Sequence, residues 1–487
     1  MSDVGRDGSV KRGVRARPRS AGPTASAAEA IAKISPARAV AFEILTLVGE
    51  GKGHSDELLH SSRTEALSTE DRNLATALVM GVLRWQIALD ARLAKLVARP
   101  DQRLAEPVAL ALRMGVFQLL HLDRIPAHAV LNESVEICRA AGQPHAAGMV
   151  NAVLRKLAAS KPTSQNRDPS TGSGQVVGHP VRGVPLFETT TAFAERLGHP
   201  LWLVERWVAA YGREAALAIC EYDQREPASG GLFVEESAAS VETAPQMDDG
   251  SRLVAELAAA AMPIATGRAA RVWDCCAAPG GKTLVLARRL NPHLKNEMWG
   301  THGAEILATD GSAKRLAQMT ARLRRYAYAE RVRCAAMDAA AAPPEDEREA
   351  KFDLILCDVP CSGTGTLARN PEIRHRLRVE ELARQADRQR AILTGALGRL
   401  AAGGRLVYST CSLEPEENER VVEAAASGAG VRRISVGPLI ARLAELDVLK
   451  QDVAAGLIGS AVRDGALRTL PGVHGCDGFF AVVLERA

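Results

Sequence analysis

The sequence lacks the features that mark membrane and secreted proteins. None of its apolar runs is long enough to be expected to cross a bilayer. Its amino terminus carries charge but has no apolar core of the kind that a signal peptide requires. We therefore expect a cytoplasmic protein with no membrane partner.

Cysteine is scattered rather than patterned. The nine cysteines show neither a set of close spacings nor a C-x-x-C pair, which argues against a disulfide framework and the common zinc motifs. Reduced thiols in a cytosolic enzyme fit this distribution, and we predict no metal site. The sequence also shows no internal repeat.

A chain of 487 residues is too long for one ordinary core and predicts two or three domains. Residues 1–35 combine arginine with small residues and no period, which predicts a disordered basic tail. Apolar residues recur at helical spacing over 36–160 and predict an all-α module. Residues 161–185 have the composition of a flexible linker. A small α+β subdomain is expected at 186–265 and an α/β domain at 266–487.

Strands and helices alternate from Arg271 onward, which predicts a mainly parallel, doubly wound sheet. The first strand leads into a turn with two glycines, Gly280 and Gly281, that opens a helix. Glycines of this kind let the backbone approach a ligand closely. The predicted strands are 271–275, 305–309, 331–335, 352–357, 404–409 and 478–484.

The turn after the first strand excludes two cofactor classes. A triphosphate loop requires glycine five residues before Gly281, where this chain has Cys276, and the dinucleotide pattern G-x-G-x-x-G is absent. S-adenosylmethionine remains, and an ordinary tight turn stays open as the alternative. Asp310 ends the next strand, where it would accept from ribose hydroxyls, and Asp338 would lie near the adenine edge. Either aspartate could instead cap a helix.

Two cysteines follow later strands. Cys361 lies in Asp-Val-Pro-Cys-Ser-Gly and Cys411 in Tyr-Ser-Thr-Cys-Ser. Because ligands bind at the carboxyl ends of strands in open α/β sheets, both thiols should reach one cleft. A thiolate there could attack an electron-poor ring. Taken singly, each cysteine could also be a small apolar residue packed at a strand end.

Several blocks of the chain resemble known families. DCCAAPGGKT, DVPCSGTG and YSTCSLEPEENE are similar to signature blocks of the Sun/NOL/NOP family of RNA cytosine-5 methyltransferases. GVLR, GVFQLL, IPAH and VNAVLR within 36–160 resemble the NusB-like RNA-binding domain. The resemblance implies a NusB-like helical domain, a small α+β subdomain and a Rossmann-like class I methyltransferase domain. It also implies an enzyme that uses S-adenosylmethionine to methylate carbon 5 of a cytosine in small-subunit (16S) ribosomal RNA.

The resemblance implies roles for individual residues. Cys411 would be the nucleophile, Cys361 would help to release the product, and Asp358 would contact the pyrimidine edge and border the cofactor. Three arginines, Arg369, Arg374 and Arg376, would hold the RNA backbone. The glutamates after Cys411 are expected to cap or solvate a helix. The predicted cofactor contacts are Cys276, Ala277, Ala278, Pro279, Gly280, Gly281, Lys282, Asp310, Asp338 and Asp358.

Two alternatives stay open. The same chemistry could act on transfer RNA, or the chain could be a non-catalytic RNA-binding factor in ribosome assembly. The intact cysteine pair argues against the second alternative. The sequence leaves the oligomeric state open, with a monomer favoured, and residues 291–303 have the character of an insertion.

Overall fold

A computed structural model describes eight stretches of the chain, with gaps between them. The expected linker at 161–185, most of the basic tail and nearly all of the insertion at 291–303 lie outside the described residues. The described stretches are 29–98, 103–160, 188–227, 230–235, 247–263, 268–290, 303–341 and 351–487.

The first module is helical, as its apolar spacing predicts. Helix starts are encoded locally: Pro36 occupies the first turn of α1, and the Ser68 hydroxyl accepts from the Asp71 N–H at 3.1 Å to cap α4. At Gly81 a methyl group would lie 1.9 Å from the Phe117 ring, so only glycine lets α4 and α5 approach here. The helices are α1 Pro36–Gly49, α2 Ser55–Leu59, α3 Ser62–Glu65, α4 Thr69–Ala94, α5 Glu106–His121, α6 Ala127–Ala140 and α7 Ala147–Ala159.

Helix α4 departs from the expectation that no apolar run could span a membrane. By length and composition alone, it is the one helix in the described ranges that could do so. Its side chains Leu78, Val79 and Val82 are fully buried in the core of the helical module. Buried core helices of soluble proteins satisfy the same test, so the length and composition of α4 do not by themselves make it a membrane span.

The small subdomain follows the linker. Within its described residues it contains helices and one isolated antiparallel bridge, between Phe233 and Leu449. Asp249, the first residue of α11, holds the segment around Gly231 against this helix. Its carboxylate accepts from the main-chain N–H groups of Gly231 at 2.7 Å and Leu232 at 3.0 Å. The helices are α8 Thr190–Arg196, α9 Leu201–Tyr211, α10 Arg213–Asp223 and α11 Asp249–Ala260.

The described residues of the remaining chain form a nine-stranded sheet covered by helices on both faces. Its order is β3-β2-β1-β4-β5-β9-β8-β7, and β6 pairs with β9. The first five strands in this order are parallel to one another, whereas β9 runs antiparallel to β5. The strands are β1 Ala270–Asp274, β2 Ala304–Asp310, β3 Val332–Ala336, β4 Phe352–Asp358, β5 Leu400–Thr410, β6 Val431–Ile434, β7 Val462–Arg463, β8 Ala466–Arg468 and β9 Phe480–Arg486.

This topology confirms the predicted doubly wound sheet. The order in which strands are added to the sheet reverses between β1 and β4, which are parallel neighbours paired through Val272 and Leu354. A crevice at the carboxyl ends of these strands is the expected ligand position. The flanking helices are α12 Gly281–Leu290, α13 Ala313–Leu323, α14 Ile373–Arg376, α15 Val379–Gly398, α16 Glu419–Ala426, α17 Gly437–Glu445 and α18 Gln451–Ser460.

The modules meet around Arg374. Its guanidinium is almost completely buried and donates to the main-chain oxygens of Arg84 at 3.2 Å and Gly198 at 3.1 Å. Longer bonds reach the oxygens of Asp223 and Leu367 at 3.4 and 3.5 Å. One cation therefore joins the helical module, the small subdomain and the α/β domain. The interpretation of Arg374 as an RNA contact was wrong, because the side chain is enclosed by protein.

Neighbouring residues strengthen the same junction. Arg376 donates to the main-chain oxygens of Val48 and Gly53, and the Nε2 atom of His375 lies 2.7 Å from the oxygen of Leu83. The segment after Cys361 is thus attached to the helical module by consecutive side chains.

Candidate active site

The loop between β1 and α12 is fixed to two neighbouring strands. Its Cys275 N–H donates to the Leu356 oxygen at 3.0 Å, and its Ala277 N–H donates to the Thr309 oxygen at 2.8 Å. Gly280 has φ +95°, a conformation that side chains disfavour, and a methyl group there would lie 2.9 Å from Met319. The loop therefore holds its backbone close to the cleft without a side chain in the way.

Asp310 lies beside this loop, and Asp338 lies beside Gly311, the residue that follows Asp310. Asp310 at the end of β2 accepts from the N–H groups of Ser312 at 2.8 Å and Ala278 at 3.3 Å. Asp338 is exposed, and its carboxylate accepts from the Ala340 N–H at 3.0 Å. Two carboxylates next to a glycine loop are hydrogen-bond acceptors, which suit ribose hydroxyls and an adenine amino group. The residues present therefore fit S-adenosylmethionine.

The structure brings the two predicted cysteines together. The Sγ atoms of Cys361 and Cys411 lie 3.2 Å apart, and both residues are half-buried. The Gly365 N–H donates to the Cys411 oxygen at 2.9 Å, which holds the loop after β4 against the loop after β5. We call residues 359–366 the Cys361 loop and residues 411–418 the Cys411 loop. Their juxtaposition matches a two-thiol site better than separate packing roles.

The two thiols differ in their electrostatic surroundings. The Cys411 contact, followed by burial and the nearby charge of Glu417, raises the pKa of the Cys361 thiol well above its usual range. The Lys282 ammonium interacts electrostatically with Cys411. A nearby carboxylate disfavours a thiolate. The arrangement thus favours a protonated Cys361 thiol.

Lys282 and Asp358 form an ion pair at the mouth of the site. The Lys282 Nζ atom lies 2.8 Å from Asp358 Oδ2 and donates to the Ser251 hydroxyl at 2.6 Å. The Ser409 hydroxyl donates to the other Asp358 oxygen at 2.8 Å. Although burial would lower the pKa of Lys282, the charge of Asp358 raises it, so the lysine stays a cation. The sequence singled out both residues but not their pairing.

The surroundings of Cys276, the cysteine predicted to contact the cofactor, disfavour a nucleophilic thiolate. Hydrogen bonding to Cys275 and then burial raise the pKa of Cys276 well above its usual range. Cys275 itself is fully buried, and its sulfur lies 3.2 Å from that of Cys357. Cys275 and Cys357 are therefore packed inside the sheet. Among the described residues, no group of three or more His, Cys, Asp or Glu side chains could hold a metal ion.

Sequence reasoning missed the positions of two glutamates in the Cys411 loop. Glu417 is fully buried against the Cys361 loop and does not solvate a helix. Glu414 is also buried, where it accepts from the Trp207 indole at 3.1 Å and from Arg206 at 2.7 Å. A signal was available, because these residues precede the first residue of α16, Glu419, and so do not lie on its solvent face.

Comparisons with known proteins agree with this fold. The family model described as 16S rRNA methyltransferase RsmB/F matches residues 262–485, and the NusB family model matches residues 35–159. The chain is 30% identical to the Ribosomal RNA small subunit methyltransferase B of Xanthomonas campestris pv. campestris, over 95% of this chain and 99% of the relative. It is 28% identical to the protein of the same name from Vibrio vulnificus, over 92% and 99%.

A solved structure supports the architecture. The chain aligns with the crystal structure of PH0851 with a TM-score of 0.64 and 21% identity, over 93% of this chain and 99% of that one. The sheet is Rossmann-like, and together with the family models and relatives it makes the chain an RNA methyltransferase dependent on S-adenosylmethionine. The chain belongs to the 16S rRNA methyltransferase RsmB/F family, with a NusB domain at its amino-terminal side. The resemblance noted in the sequence and the predicted cofactor are thereby confirmed.

Proposed function

We propose that this chain methylates carbon 5 of a cytosine in small-subunit ribosomal RNA through a covalent cysteine adduct. The observation that carries the proposal is the pair of thiols, 3.2 Å apart, beside the Lys282–Asp358 ion pair. The relatives named ribosomal RNA small subunit methyltransferase B support the substrate.

Cys411 is the proposed nucleophile. Carbon 5 of cytosine is a poor nucleophile, and addition of a thiolate to carbon 6 makes the ring enamine-like. S-adenosylmethionine supplies an electrophilic methyl group when bound. The Lys282 cation interacts electrostatically with Cys411, and Cys361 can donate its S–H to the Cys411 sulfur. Cys361 acts later, when the proton leaves carbon 5 and the bond between sulfur and carbon 6 breaks.

Asp358 is the proposed contact for the polar edge of the pyrimidine. Its carboxylate is held by the Ser409 hydroxyl and the Lys282 ammonium, so it is oriented before a base enters. An acceptor near ring nitrogen 3 stabilises the protonated adduct. The target base has to leave its stack to reach this cleft.

The cofactor is assigned to the loop after β1 and the two aspartates beside it. The loop backbone lies next to Asp310, and Asp338 follows at the end of β3. The proposed contacts remain Cys276, Ala277, Ala278, Pro279, Gly280, Gly281, Lys282, Asp310, Asp338 and Asp358.

Ribosomal RNA is the proposed partner and the cytoplasm the proposed location. The NusB domain and the small subdomain would hold RNA that flanks the target, through contacts to the phosphate backbone. Such contacts would make the affinity for RNA fall as salt is raised.

The test uses two cysteine variants of the full chain. We expect Cys361→Ala to accumulate a covalent adduct with ribosomal RNA and Cys411→Ala to abolish both the adduct and methyl transfer. Denaturing electrophoresis detects the adduct, and transfer of labelled methyl groups measures activity. Cys334→Ala, which changes a half-buried cysteine on β3, is the matched control and should behave as the unaltered protein.

The substrate is tested with the same assay. Small-subunit ribosomal RNA should accept label, and transfer RNA should not. Methylation by Cys411→Ala, together with no adduct in Cys361→Ala, would refute the assigned roles. Preference for transfer RNA would refute the substrate while leaving the chemistry intact.

A further inference from the structure

Glu417 is a buried carboxylate that contacts both cysteine loops. It is 0% exposed and lies beneath the thiol pair. Its Oε1 atom accepts from the Ser362 N–H at 2.8 Å and from the Gln389 side-chain amide at 2.9 Å. Its Oε2 atom accepts from the hydroxyls of Ser362 and Ser412. Four donors therefore converge on one side chain, which satisfies a buried charge.

The residues that Glu417 joins are the immediate neighbours of the two thiols. Ser362 follows Cys361, and Ser412 follows Cys411. The two hydroxyls also lie 3.0 Å from each other, so the carboxylate and the serines form one network across the loops. Displacement of either loop would break bonds on the same carboxylate.

Glu417 is itself held in place from the sheet and from α15. The Tyr408 hydroxyl donates to its main-chain oxygen at 2.6 Å. Gln389 also donates to the Pro360 oxygen at 2.9 Å, which extends the network to the residue before Cys361. Glu417, a residue of the Cys411 loop, is thus held in place while its carboxylate binds the Cys361 loop.

We propose that Glu417 is a positioning residue, which fixes the Cys361 loop against the Cys411 loop and so sets the separation of the two thiols. The catalytic role of the thiol separation rests on the proposed function. The contacts of Glu417 with the two loops are independent of it. Glu417 touches neither the base nor the cofactor in this assignment and acts through the loops.

The charge of Glu417 adds a second effect, on Cys361. Its carboxylate binds the N–H of Ser362, the residue next to Cys361. Cys411, Glu417 and Tyr408 interact electrostatically with the Cys361 thiol. The Glu417 carboxylate therefore discourages ionisation of Cys361.

Two variants separate geometry from charge. In Glu417→Gln the amide oxygen can still accept from the N–H donors, and the amide nitrogen can donate to the serine hydroxyls, which rotate. This variant removes the charge and keeps the shape, whereas Glu417→Ala removes both. Glu423→Gln removes an exposed carboxylate from α16 and is the matched control.

Two measurements on the thiols do not depend on methyl transfer. Phenylarsine oxide bridges two neighbouring thiols: both sulfurs bond to arsenic, and their protons leave with its oxygen as water. Peptide mapping by mass spectrometry locates the bridge, with Cys411→Ala as the negative control. Alkylation by iodoacetamide across pH reports when each of Cys361 and Cys411 ionises.

We expect the arsenical to bridge Cys361 and Cys411 in the unaltered protein, Glu417→Gln and the control, but not in Glu417→Ala. In Glu417→Gln, alkylation of Cys361 should begin at lower pH than in the unaltered protein. Methyl transfer should fall about 100-fold in Glu417→Ala, as expected for a misplacement near 1 Å, and less in Glu417→Gln.

An unbridged thiol pair in the unaltered protein would overturn the proposal, as would a bridge retained in Glu417→Ala. An unchanged alkylation profile in Glu417→Gln would overturn the effect of the Glu417 charge on Cys361. If Glu417→Ala does not fold, the double variant Ser362→Ala with Ser412→Ala takes its place and should also lose the bridge. Failure of the proposed function is separate, because it would leave ribosomal RNA unmethylated while the bridging results stand.

Discussion

Replacement of Arg374 by methionine tests whether the junction between the modules is structural. Methionine is an unbranched side chain that keeps most of the volume of arginine and removes all of its donors. The main-chain oxygens of Arg84 and Gly198 would then lose a charged donor at a buried site, although the Arg84 oxygen would keep the Gln224 side-chain amide at 3.1 Å. Leaving buried acceptors unpaired destabilises a fold more than removing both partners would.

The magnitude follows from the hydrogen-bond lengths. Two of the four bonds made by Arg374 are 3.1 and 3.2 Å long, and the other two, at 3.4 and 3.5 Å, contribute less. A hydrogen bond to a charged group contributes about 1.5 kcal/mol at the lower end, net of desolvation. Two such bonds predict a loss of about 3 kcal/mol in the free energy of unfolding.

Urea denaturation followed by circular dichroism measures this loss. Arg378→Met, at an exposed position just before α15, is the matched control and should change the free energy of unfolding by less than about 0.5 kcal/mol. An RNA contact would give a different result: unchanged stability, with a smaller dependence of RNA affinity on salt concentration. That result for Arg374→Met would refute the structural role.

Two further changes probe the cofactor side of the cleft. Gly280→Ala forces a side chain into a backbone with φ +95° and against Met319. The dissociation constant of this variant for S-adenosylmethionine, measured by calorimetry, should therefore rise. The control is Gly398→Ala, where a methyl group meets nothing within 4 Å, and this variant should bind S-adenosylmethionine normally. Burial raises the pKa of Asp274 to about 7, whereas a value of about 4 is expected in the unfolded chain. The folded chain therefore holds the proton of Asp274 more tightly than the unfolded chain does. The stability that this proton contributes is present at low pH and is lost as pH rises through about 7. Asp274→Asn should therefore flatten this part of the pH dependence of unfolding, and an unchanged pH dependence would contradict it.

The elements with strong local patterns could be predicted from the sequence. The predicted strand at 305–309 is observed as Ala304–Asp310, and the strand at 352–357 is observed as Phe352–Asp358. These strands are apolar, buried on both faces and bounded by turn residues, so their signal is local. The short strands Val462–Arg463 and Ala466–Arg468 were missed, because two or three residues carry no detectable period.

The site was predicted where it depends on topology and missed where it depends on tertiary contacts. Parallel strands carry their carboxyl ends to one edge, which placed Cys361 and Cys411 together. The burial of Arg374 could not be inferred, because its acceptors are main-chain oxygens far away in sequence. Charged residues are usually exposed, so an arginine or a glutamate such as Glu417 is assigned to the surface by default.

The attachment of Arg374, His375 and Arg376 limits how far this enzyme can be divided into separable parts. A catalytic half expressed without its N-terminal partner would present a guanidinium whose acceptor on Arg84 is missing. A chimera with a different RNA-binding unit would meet the same deficit unless the new unit supplied carbonyl groups in matching positions. Substrate choice and thiol placement are therefore expected to change together in such fusions, since the chain from Cys361 to Arg376 takes part in both.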